Sequence, residues 1–165
     1  MKDKRKNLVL VLQDTISRLE KEECEYQWTN QGKCNCGHLI QTVTGKTSAS
    51  IHRIALNSQG EWTDHAKNYC ASSGLHVDDL IEELLKIGVS LDQIPHLEYL
   101  SSPKILKYVP KSMLPLNHKN KEDLIFYLRT WKKVLKKELS TLNFKDNLIN
   151  GISHQSQKAS KTFSF

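Results

Sequence analysis

NKEDLIFYLRTWKKVLKKEL, residues 120–139, carries the clearest periodicity in the 165-residue chain. Leu124, Leu128, Trp131, Leu135 and Leu139 recur at spacings of four, three, four and four, which places them on one face of an α-helix. Asn120 stands directly before the run, where its side-chain oxygen can accept from a first-turn N–H. The stretch predicts a long C-terminal helix whose apolar face completes a core. Its other side carries Arg129, Lys132, Lys133, Lys136 and Lys137 as a basic face.

A core helix needs partners, and the rest of the chain offers short helical segments rather than strands. Near the amino terminus Leu8, Leu12, Ile16 and Leu19 form a second apolar stripe at helical spacing. VDDLIEELLKIG, residues 77–88, has acids in its first turn, Lys86 in its last and Gly88 as a stop signal. Ser90 and Gln93 have the spacing of a capping box. Trp62, Ala66, Tyr69 and Cys70 suit a further helix over 61–71. Leu39, Ile40 and Val43 predict a weak helix ending at Gly45. Pro95, Pro103, Pro110 and Pro115 then break the following stretch into short helices and loops. The expected fold is mainly α, a compact irregular multi-helical domain with a long C-terminal helix. Residues 1–144 are read as one globular domain and 145–165, where the apolar repeat has faded, as a loosely ordered tail.

Charge narrows the partners. Of the 24 Lys and Arg and 18 Asp and Glu, ten basic but only four acidic residues lie beyond His118, so the surplus sits on the last third. An acidic partner at the basic face is the expected interaction. No nucleic-acid recognition motif accompanies that face, so nucleic acid is not the expected ligand. The apolar run LVLVL at residues 8–12 is too short for a signal-peptide core, and no stretch reaches the roughly 18 apolar residues that cross a bilayer. A cytoplasmic protein without a membrane partner is expected. Oligomeric state leaves no trace in the sequence.

The densest chemistry lies at GKCNCGHLIQ, residues 32–41. On an extended backbone the alternate positions Cys34, Cys36 and His38 share one side. A turn at Gly37 would draw two sulfurs and an imidazole together, a donor set suited to zinc, or to iron. Cys70 is the expected fourth ligand, with His52 and His65 as alternatives. This leads to a small Cys/His metal-binding domain in which the metal has a structural or substrate-positioning use.

Two other readings compete with it. If a helix begins near Gly37, its field and free N–H groups activate the Cys36 thiol, with Gln31 as oxyanion donor and His65 as base. Over about eight residues QGKCNCGH resembles the QGxCGSCW stretch of papain-like cysteine proteases. It has one residue fewer between Gln31 and Cys36 and no tryptophan at position 37, so the protease function is not carried over. The third reading is a metal-free helical partner-binding protein whose cysteines pack as small hydrophobes.

Overall fold

The computed structural model describes residues 2–28, 33–48 and 77–159. They form six α-helices and one 3-10 turn: α1 Lys2–Leu19, α2 Asn35–Thr44, α3 Val77–Lys86, α4 Gln93–Tyr99, α5 Pro103–Leu106, the turn Lys111–Met113, and α6 Lys121–Ala159. The fold is mainly α and multi-helical, with a long C-terminal helix of 39 residues. Among the described residues no helix is long and apolar enough to cross a membrane.

The two apolar stripes of the sequence meet. Leu8, Leu12, Ile16 and Leu19 of α1 are buried together with Leu124, Leu128, Trp131 and Leu135 of α6 in one core. Ion pairs fix the direction of the pairing. Glu20 meets Arg129 at 2.6 Å and Arg5 meets Glu138 at 3.7 Å, so α1 runs antiparallel to α6. Helices α2 and α5 pack against α1 and α6 respectively, and Leu39, Ile40, Leu97 and Ile105 carry the core outward from that pair.

Local signals set the ends of these elements. Asn120 Oδ1 accepts from the Asp123 N–H at 3.0 Å, the cap expected for α6. The Gln93 side chain reaches back to the Ser90 N–H at 2.9 Å, as a capping box requires. Gly45 closes α2 in the left-handed region at φ 67°, its N–H donating to the Gln41 carbonyl. Gly88 closes α3 for two reasons at once. Its φ is +97°, and a Cβ there would stand 2.9 Å from the Lys4 carbonyl oxygen of α1. Helix α6 continues past Asn143, the point at which the apolar repeat ends.

Candidate functional site

The Cys-x-Cys-x-His segment is helical from Asn35 onward, and this overturns the metal reading. Cys34 precedes the helix with extended angles, φ −83° and ψ 174°, and its Sγ turns back to accept the Gly37 N–H at 3.4 Å. On a helix, residues two apart point about 200° away from each other. Cys36 therefore enters the core, 6% exposed, while His38 stacks on Tyr26 with ring centroids 5.9 Å apart. The expected common point for Cys34, Cys36 and His38 does not form. Among the described residues no three His, Cys, Asp or Glu side chains are placed to hold a metal ion, so the zinc or iron expectation is corrected. Cys70, His52, His65 and Gln31 lie outside the described residues.

What the segment does instead is join elements. Asn35 is 1% exposed. Its Oδ1 accepts from the Tyr26 hydroxyl at 2.7 Å, and its Nδ2 donates to the Glu98 carbonyl at 2.8 Å and the Leu97 carbonyl at 3.3 Å. The Tyr26 hydroxyl also meets the His118 carbonyl, at 2.5 Å. Beside it the Cys36 N–H donates to Glu98 Oε1 at 2.9 Å. One amide thus ties the start of α2 to the end of α4 and to the loops at Tyr26 and His118.

Arg18 does the same from α1. Its Nη1 donates to Gln41 Oε1 at 2.6 Å, and its Nη2 to the His38 carbonyl and to Thr42 Oγ1. Burial lowers its pKa, with the neighbouring Cys24 acting in the opposite direction. His38 itself is 2% exposed, and neither ring nitrogen has a hydrogen-bond partner. Burial, reinforced by the Arg18 charge, pushes its pKa down to about 4. The Lys33 and Glu25 carbonyls approach the ring closely enough to favour its protonated form, but neither is aligned as a hydrogen bond. The imidazole is neutral at pH 7.

The five basic residues expected to form one face of α6 fall into two groups. Arg129 is engaged by Glu20, directly after α1, and Lys132 by Gln13 of α1. Lys133, Lys136 and Lys137 are exposed. Burial lowers the Lys132 pKa, and the Lys136 charge beside it acts in the same direction. Lys137 also belongs to a groove of about 480 Å³ between the start of α1, the end of α5 and α6, lined by Arg5, Lys104, Lys107, Tyr108 and Glu138 among others. Two ammonium groups lie over the Tyr108 ring, Lys107 Nζ at 5.1 Å and Lys137 Nζ at 5.6 Å from its centroid. Among the described residues the groove therefore gathers four cations around one carboxylate, Glu138, which faces Arg5.

Sequence reading located Lys137 but missed Arg5, Lys104, Lys107 and Tyr108. KILKYV, residues 104–109, was a local signal: two lysines three apart, followed by tyrosine. Comparison with protein-family models, with curated proteins and with solved structures finds no match for the chain.

Proposed function

We propose that the chain is a metal-free helical partner-binding protein, and that its partner presents an acidic segment to the groove at Tyr108 and the exposed lysines of α6. One observation carries this reading. Arg5, Lys104, Lys107 and Lys137 come from three separate elements to one concave surface, with a single carboxylate among the described lining residues. Convergent like charges held on packed helices repel one another, and an anionic partner relieves that repulsion. The position of Cys36 favours binding over thiol chemistry, because a thiol among core side chains lacks the access and electropositive surroundings of a nucleophile.

Titration with a peptide rich in Glu and Asp tests the proposal. Binding is expected at low ionic strength and should weaken steeply with salt, since the screening length falls from about 30 Å at 0.01 M to about 8 Å at 0.15 M. Charge reversal at two exposed positions, Lys107→Glu with Lys137→Glu, should abolish it. Equal affinity for a Gln and Asn peptide of the same length would contradict the reading. Preference for duplex nucleic acid over the acidic peptide at equal charge would replace it.

A further inference from the structure

We propose that the Tyr108 groove receives a phosphorylated side chain of the acidic partner. This rests on the reading above and names the group that the groove itself binds, as distinct from the flatter lysines of α6.

The type and placement of the cations point to this group. Three of the four are lysines, compact charges whose donors can point in any direction, so a ring of them can enclose a tetrahedral oxyanion. A lone carboxylate is best matched by the planar fork of a guanidinium. The guanidinium here, Arg5, already faces Glu138 at 3.7 Å.

Placement adds to this. Lys107 and Lys137 approach the Tyr108 ring from the loop after α5 and from α6, so both ammonium groups lie within 6 Å of the centre of one ring. Lys104 on α5 extends the same wall. A carboxylate brings one negative charge to this cluster, whereas a phosphomonoester brings about 1.5 to 2 at neutral pH together with three acceptor oxygens. Val134 and Leu142 supply an apolar part of the lining, against which the carbon stem of the modified side chain can rest.

A phosphate on a protein segment, rather than a free oxyanion, follows from the setting. The groove is continuous through Lys137 with α6, where exposed Lys133 and Lys136 extend the positive surface beyond what one phosphate covers.

The test compares three probes by calorimetry at neutral pH: an acidic peptide with one phosphoserine, the same peptide with glutamate at that position, and inorganic phosphate. The phosphopeptide is expected to bind about tenfold more tightly than its glutamate counterpart, from the added charge and acceptors. Lys107→Gln with Lys137→Gln should remove that preference, the two peptides then binding alike and both more weakly than they bind the parent. Both lysines are exposed, and an unchanged helical circular-dichroism spectrum and urea midpoint report that the variant is folded. Equal affinity for the two peptides would overturn the phosphate inference while leaving the acidic-partner reading intact. Binding of neither would overturn both. Inorganic phosphate binding as tightly as the phosphopeptide would show that a free oxyanion is the ligand, and would overturn the assignment to a partner's side chain.

Discussion

Lowering the pH from 7 to 4 is expected to cost the fold about 3 kcal/mol through His38 alone. In the unfolded chain this imidazole titrates near its ordinary 6.5, whereas burial and the Arg18 charge hold it at about 4 in the native state. Between those values the unfolded state binds a proton that the folded state does not. Stability is therefore full above pH 6.5, falls as the pH drops through that window, and levels off below the folded value. The charged groups acting on the ring are Arg18 of α1 and Lys121 of α6, both of which disfavour a second positive charge there. Urea unfolding of the parent and of His38→Phe, measured at several pH values, isolates this contribution. The phenyl ring keeps an aromatic face against Tyr26 and cannot titrate. The stability difference between the two proteins should shift in favour of the variant by about 3 kcal/mol across the window. Parallel pH profiles would show that His38 is not buried in neutral form.

Asn35→Ala is expected to destabilise the protein by about 3 kcal/mol, because it leaves several buried groups short of partners at once. The Leu97 and Glu98 carbonyls lose their amide donor and the Tyr26 hydroxyl loses one partner. Asn35→Asp discriminates between lost volume and lost donors. It preserves size and the acceptor for Tyr26 but turns a carboxylate oxygen toward backbone carbonyls, so it should be no better tolerated than alanine. Denaturant unfolding of both variants measures the effect. A loss below 1 kcal/mol in each would mean that this junction does not hold α2 to α4.

The features legible in the sequence were those whose cause is local. The stripes of α1 and α6, the acids and glycine bounding 77–88, the Asn120 cap and the stop at Gly45 depend on residues within a turn or two of one another. The segment at Cys34 was misread because its spacing has two meanings. Cys-x-Cys-x-His fits a strand edge with all three side chains on one side, yet Leu39, Ile40 and Val43 carry the period of a helix. The helix starts early, at Asn35, under a cysteine cap whose sulfur is a weaker acceptor than the oxygen of Ser or Asp. What makes that start possible is tertiary. Residues 35–41 are buried without a break, surrounded through Tyr26, Arg18 and the end of α4.

The basic groove was hidden for a related reason. Its charges lie at residues 5, 104, 107 and 137, and only the fold brings them to one surface. The sequence showed five basic residues on one side of α6 as a single face. The packing of α1 divides them, engaging Arg129 and Lys132 and leaving the remainder exposed, with Lys137 beside Tyr108.

On the proposed function, the partner meets the groove at Tyr108 rather than the cysteine-rich segment. Amide chemical-shift mapping by NMR, on adding an acidic peptide to the labelled protein, tests it most directly. The shifts should concentrate at residues 104–108 and 133–142 and at Arg5, with residues 34–41 unchanged. Shifts centred on 34–41, with the groove silent, would contradict it.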